Sequence, residues 1–141
     1  MLYFDTCALI PYYRPEALSD TVQGILTDAA EPVAISPLGE VEFASVLARL
    51  VRMGEMAETH ASTIQAAFAE DIAQGRYRLI EQTTQHYRLA RDWLLSRKTG
   101  LRTLDALHLA TASLSQSRLV TADATLADAA RKLGIPVQWL G

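Results

Sequence analysis

Five short apolar runs punctuate the chain, and stretches of helical period separate them. This alternation limits the possible folds more than any single motif does. The runs are Leu2–Phe4, Val33–Ile35, Arg76–Ile80, Arg118–Thr121 and Ile135–Trp139. Each is too short for a core helix and is bounded by turn or capping residues, so each reads as a buried strand. Between them, apolar residues return every third or fourth position. Leu18, Val22, Ile25, Leu26 and Ala29 form one such stripe before Glu31-Pro32. Ser36-Pro37 reads as an N-cap and first helical residue, opening a helix through Phe43, Val46, Leu47 and Leu50 to about Met53-Gly54. A further helix spans about Met56 to Gln74 and stops at Gly75. Thr83 or Thr84 caps the next, which Thr99-Gly100 closes. Thr103 caps a largely apolar helix, and a last helix runs from about Ala124 to Leu133 before Gly134. Pro11-Tyr-Tyr-Arg-Pro15, with two prolines, reads as a loop.

Strands alternating with helices predict an α/β fold whose mostly parallel sheet lies between helical layers. With 141 residues and no linker, repeat or low-complexity segment, a single domain covering 1–141 is expected. The formal net charge of −3 excludes a charge-driven, histone-like binder of nucleic acid. It leaves open an enzyme that meets nucleic acid through metal ions, because cations neutralise an acidic pocket locally. One cysteine, Cys7, precludes an intrachain disulfide. No apolar run approaches the roughly 18 residues of a membrane span. The first residues lack the basic start of a secretory signal. A soluble, cytoplasmic protein is the resulting expectation.

Four acids stand out by position. Asp5 follows the first strand, Glu42 lies about two turns into the helix after the second, Asp105 opens the helix before the fourth, and Asp123 lies just past the fourth. Parallel strands bring Asp5 and Asp123 to the same end of the sheet, where open α/β folds bind ligands. Asp105, near a helix start, is expected to be held ionised by free N–H groups and the dipole. Several carboxylates in one pocket raise each other's pKa unless cations are present. Oxygen ligands at that density suit Mg²⁺ or Mn²⁺, which activate water and stabilise a leaving oxygen in phosphoryl chemistry. Taken singly, Asp105 and Asp123 read better as solvated charges or helix caps than as ligands. Periodicity sets Glu42 at the edge of a solvated face and leaves Glu40 as a competitor.

Asp5-Thr6 after a strand, Ser36-Pro-Leu-Gly-Glu-Val-Glu42 opening a helix, Leu104-Asp-Ala-Leu-His-Leu-Ala110 and Val120-Thr-Ala-Asp-Ala-Thr-Leu126 together resemble the PIN domain. Within it they resemble the VapC toxin ribonucleases of bacterial toxin–antitoxin pairs. No single motif is specific, but four in order span essentially the whole chain. The resemblance implies a three-layer α/β/α sandwich with a five-stranded parallel sheet. It implies Mg²⁺- or Mn²⁺-dependent endonucleolytic cleavage of RNA, a VapB-like antitoxin as partner, and homodimers. By motif match Asp5, Glu42, Asp105 and Asp123 are the catalytic acids, with Asp5, Asp105 and Asp123 on the metal, and the spacing from Ser36 selects Glu42 over Glu40. Thr6 and Thr121 match supporting hydroxyl positions. Cys7 and Gly39 depart from the usual pattern.

Other residues carry weaker signals. His108, three residues after Asp105, reads as a hydrogen-bonded core histidine rather than half of a metal pair. His60 and His86 have no partner by spacing, and Cys7 reads as a small buried residue. Arg97, Lys98 and Arg102 suit either RNA phosphates or a helix C-terminus. A phosphoacceptor receiver domain is disfavoured, because the third strand ends Ile80-Glu81 and no Lys follows the fifth. A haloacid-dehalogenase-like phosphatase needs a second Asp where Cys7 stands. The remaining alternative is a PIN-fold binding module without catalysis.

Overall fold

The computed structural model describes residues 1–141. Its elements, in chain order, are β1 (Leu2–Phe4), α1 (Thr6–Tyr13), α2 (Ser19–Asp28), β2 (Val33–Ile35), α3 (Pro37–Arg52), α4 (Glu58–Ala73), β3 (Tyr77–Leu79), α5 (Thr84–Ser96), α6 (Thr103–Leu114), β4 (Arg118–Thr121), α7 (Ala124–Lys132) and β5 (Val137–Trp139). All five strands join one parallel sheet in the order β3-β2-β1-β4-β5. Tyr3 pairs with Ala34 of β2 on one side and with Leu119 of β4 on the other. The chain first builds outward through β2 and β3, then crosses over to add β4 and β5. The reversal falls between β1 and β4, which makes that boundary the topological switch point where such sheets open a crevice.

Alternation along the strands sorts the core into two layers. Phe4, Val33, Ile35 and Val120 face one side and pack with Leu9, Val22, Phe43, Leu47, Ile64 and Phe68 from α1 to α4. Tyr3, Ala34 and Leu119 face the other and pack with Ala90, Leu107, Leu109, Ala110, Leu126 and Ala130 from α5 to α7. Phe43 and Phe68 stack with centroids 4.1 Å apart, and Tyr13 meets Phe43 edge-on. Gly75 and Gly134 stop α4 and α7 at φ of +72° and +73°, values that glycine adopts without a Cβ penalty.

Two local expectations are corrected. The segment from Pro11 is not a loop at once, because α1 continues through Pro11 to Tyr13. Pro11 removes only one possible N–H bond within this short helix. The buried side chains of Ala8, Leu9, Ile10 and Pro11 hold the turn against α2 and α3. Thr103 is not a cap but the first residue of α6. Arg102 precedes it in extended conformation, and its N–H is taken by the Asp105 side chain.

Candidate active site

Three of the four acids stand at helix starts, and two of them, Asp5 and Asp123, follow the same kind of strand-to-helix junction. Asp5 directly follows β1 and N-caps α1, its Oδ1 accepting the Ala8 N–H at 3.0 Å. Its backbone N–H continues the ladder to the Val120 carbonyl at 3.3 Å, so the residue is tied to both neighbours of the switch point. Thr121 Oγ1 donates to Asp5 Oδ2 at 2.5 Å, and Cys7 Sγ lies 3.2 Å from both carboxylate oxygens. Asp5 is 3% exposed. Burial raises its carboxyl above the ordinary carboxylate value, and the nearby His108 and hydrogen bonds from Thr121, Cys7 and Ala8 offset part of that rise.

Glu42 reaches the same region from the second turn of α3. That helix starts at the junction after β2, where Ser36 caps it and Pro37 occupies its first position, as the sequence suggested. Thr6 Oγ1 donates to Glu42 Oε1 at 3.0 Å, and His108 Nε2 bonds the same oxygen. Burial pushes the Glu42 carboxyl up, but the hydrogen bonds from His108 and the Thr6 hydroxyl work against it, and its pKa is lowered. His108 Nδ1 lies 2.7 Å from Tyr3 Oη, which is itself 2.8 Å from Ser36 Oγ. Ser36 Oγ accepts the Gly39 N–H at 3.4 Å.

Asp105 and Asp123 face one another from α6 and α7. Asp105 Oδ2 accepts the Arg102 N–H at 3.4 Å, and Asp123 Oδ1 accepts those of Thr125 and Leu126 at 2.9 and 3.2 Å. The Asp123 N–H donates to Thr121 Oγ1 at 3.0 Å. Burial raises the Asp105 carboxyl, and the Asp123 charge raises it further, against the helix-start N–H. The helix-start N–H favours the ionised form as expected, but desolvation and like charge outweigh it in the direction of the shift.

All four acids line one cavity of about 210 Å³, together with Thr6, Cys7, Val46 and His108. Glu42, Asp105 and Asp123 also border an adjoining cavity of about 580 Å³, whose wall includes Arg102, Thr103 and Thr125. The smaller cavity has no Lys or Arg in its wall. Clustered carboxylates without a protein cation form a donor set of hard oxygens, and that chemistry fits a divalent cation such as Mg²⁺ or Mn²⁺. As placed, no three of the acidic, His or Cys side chains approach closely enough to hold one ion between them. Asp105 and Asp123 are drawn instead to the backbone N–H groups of their own helix starts.

The topology thus gathers every acid singled out in the sequence, and Thr6 and Thr121 bond to Glu42 and Asp5. Glu40, the competitor of Glu42, lines neither cavity. His108 is buried and hydrogen-bonded, but its partner is a carboxylate of the cavity, which spacing alone did not reveal. Tyr3 carried a usable signal, a phenol in the middle of a strand otherwise read as buried and apolar. Cys7 is exposed rather than buried, its sulfur turned to Asp5 and Thr121. His86 has a local task, its Nδ1 accepting the Thr83 N–H at the start of α5. No helix is long and apolar enough to cross a membrane.

The family model described as the PIN domain matches residues 2–132. Among solved structures, the chain is similar to FitAcB from Neisseria gonorrhoeae, with TM-score 0.72 and 18% identity, covering 99% of this chain and 98% of that one. It is also similar to VapC20 of Mycobacterium tuberculosis, described as a sarcin-ricin loop cleaving toxin, with TM-score 0.72 and 16% identity over 92% of this chain and 95% of that one. A third is VapBC2 from Rickettsia felis bound to a promoter DNA fragment, with TM-score 0.67 and 15% identity over 98% of each chain. These likenesses concern the fold. No curated protein sequence matches the chain.

Proposed function

The chain belongs to the PIN-domain family, and on that premise we propose that it is a Mg²⁺- or Mn²⁺-dependent endoribonuclease, the toxin of a type II toxin–antitoxin pair. One observation carries this reading: carboxylates from four separate elements line a single cavity at the switch point, and no Lys or Arg balances them there. Asp5, Asp105 and Asp123 would hold the cation, with Glu42 beside them. A divalent ion bound at such a cluster neutralises phosphate charge and lowers the pKa of water.

The chain's own groups prepare the rest. Thr121 and the Ala8 N–H fix the Asp5 carboxylate, and the Thr6 hydroxyl donates to Glu42 Oε1. That leaves Glu42 Oε2 unengaged and, with its lowered pKa, charged at neutral pH. Hydrolysis adds a water oxygen to phosphorus and breaks the bond to the 3′-oxygen, leaving a 5′-phosphate and a 3′-hydroxyl. Arg102, on the wall of the adjoining cavity, supplies a positive charge for the RNA backbone.

The partner in this reading is a VapB-like antitoxin. Two observations support a bound segment: Val41 on α3 and Met53 just past its end are exposed, and Leu47, Val51 and Ala61 border a groove of about 400 Å³ between α3 and α4. Homodimerisation and residence in the cytoplasm complete the proposal. RNA cleavage that needs a divalent ion, stops with EDTA and disappears in Asp5→Asn supports it. Sequencing RNA ends after induction in cells identifies the target, and unchanged ends in an induced culture argue against the reading.

A further inference from the structure

His108 is the one buried group at the cavity that the proposed chemistry does not employ. Its neighbours on α6, Leu107 and Leu109, are apolar and buried, so packing alone would be met by another apolar side chain. Instead a polar chain runs from the start of α3 back to its second turn. Ser36 Oγ meets Tyr3 Oη, Tyr3 Oη meets His108 Nδ1, and His108 Nε2 meets Glu42 Oε1. Ser36 and Tyr3 are fully buried and His108 is 3% exposed, so water does not compete along the chain.

The direction of these bonds follows from their ends. An ionised Glu42 only accepts, so Nε2 carries the ring proton. In the neutral ring Nδ1 then accepts, and Tyr3 is the donor within reach. The Tyr3 phenol stays protonated because burial raises its pKa. Its oxygen is free to accept the Ser36 hydroxyl proton, while Ser36 Oγ takes the Gly39 N–H. The bonds thereby run in one direction, and the last donor is aimed at a carboxylate that borders both cavities.

We propose that His108 is a positioning residue for RNA cleavage: Tyr3 sets its tautomer, and its Nε2–H locks the Glu42 carboxylate in place at the cavity. The proposal rests on the reading of Glu42 as an acid of the site. Glu42 has three side-chain torsions to freeze, and Thr6 alone supplies a single bond to do so. Partners that orient a site carboxylate rather than touch substrate characteristically matter through the rate of the bound complex.

The test uses the full chain in metal-supported RNA cleavage. His108→Gln keeps an amide donor near the Nε2 position, and His108→Asn does not reach it. The expectation is a kcat loss of about 10–100-fold in His108→Asn, with KM changed by no more than about twofold. His108→Gln recovers most of that loss, and in a Glu42→Gln background His108→Asn costs nothing further. Nitrogen NMR of the metal-free protein reads the ring directly: protonated Nε2 in the wild type and mixed tautomers in Tyr3→Phe. Equal losses in His108→Gln and His108→Asn that follow their melting temperatures, or the same loss in both Glu42 backgrounds, overturn the proposal. So does a wild-type ring protonated at Nδ1 alone. Full activity of Glu42→Gln beside an inactive Asp5→Asn also overturns it while sparing the nuclease reading. Full activity of Asp5→Asn instead removes the nuclease reading, and the positioning role with it.

Discussion

Thr121 Oγ1 donates to Asp5 Oδ2 at 2.5 Å across the β1–β4 boundary, joining residues 116 apart in sequence. The same oxygen accepts the Asp123 N–H at 3.0 Å. One buried hydroxyl therefore ties together two acids that leave adjacent parallel strands on the two sides of the switch point. Thr121→Val keeps the shape and β-branching but strands a carboxylate oxygen and an N–H. It should cost about 1–3 kcal/mol of stability and on the order of 10–100-fold in cleavage. Thr121→Ser should retain most of both. Paired denaturation curves and cleavage rates check this, and a fully active Thr121→Val would show that the hydroxyl does not serve the site.

Asp5→Asn separates chemistry from architecture. Asn caps a helix about as well as Asp, so α1 should keep its start. The buried charge is gone, however, and burial was the main cause of the raised carboxyl. Cleavage should fall by more than the roughly 10–100-fold expected for an outer partner, while the metal-free protein gains a few degrees in Tm near neutral pH. A Tm that drops by many degrees would mean that the Asp5 carboxylate serves the fold rather than the site.

The sign of the pH dependence follows from the same shifts. Asp5 and Asp105 have folded pKa values above their ordinary 3.8, so they add nothing unfavourable at pH below that value. Their destabilisation grows as pH rises from 3.8 through the raised folded values and then levels off. Glu42 works in the opposite sense. Its folded pKa lies below its ordinary 4.5, so it contributes stability above that value and loses it as pH falls through the lowered one. The Tm advantage of metal-free Asp5→Asn should therefore shrink on acidification and vanish below about 3.8. Thermal melts across pH measure it, and an advantage that widens toward acid would reverse the assigned shift.

Much of this arrangement is legible in the residues before any coordinates. Short apolar runs fix the parallel sheet, and an acid immediately after a run, as with Asp5, must fall at the carboxyl end where the crevice opens. Asp123 follows by the same rule. Glu42 is legible only through the spacing from Ser36, because helical periodicity places it at a solvated edge. What ties it to the cavity is the Thr6 hydroxyl and the His108 ring, which arrive from α1 and α6. The polar chain through Tyr3 could not be read ahead, since it joins residues 33, 105 and 66 positions apart. Helix α1 is not legible in the sequence, because Pro11 is a local breaker whose cost is met by burial that only the tertiary structure supplies.

Divalent ions should act on the fold as well as on the rate. Asp105 is raised partly by the charge of Asp123, a repulsion that a bound cation removes. Mg²⁺ or Mn²⁺ should raise Tm in proportion to the logarithm of its concentration, worth about 2.7 kcal/mol at about 100 times Kd. EDTA should reverse the rise, and Asp105→Asn and Asp123→Asn should flatten it. Na⁺ at equal ionic strength is the control: an equal rise with Na⁺ would reduce the effect to general screening.

Cys7 gives an independent probe of the same charge. Its residue is exposed, yet crowding of the sulfur by protein, and then the Asp5 carboxylate 3.2 Å away, push the thiol up to about 12. A thiol of that pKa holds on the order of one part in 10⁴ of thiolate at pH 8, against about a quarter for a free cysteine. Alkylation by iodoacetamide should be at least about 100-fold slower than for a free thiol. Asp5→Asn removes the charge, so it should accelerate the reaction by about tenfold for each unit of pKa recovered. Cys7→Ser should leave RNA cleavage within a few-fold of wild type, because the sulfur's polar side-chain neighbours, Asp5 and Thr121, are already bonded to each other. Mass spectrometry of timed alkylation reports the rates without substrate. Wild-type Cys7 reacting as fast as a free thiol would mean that no negative charge sits beside it, and Asp5 would lose its place as the ionised wall of the cavity.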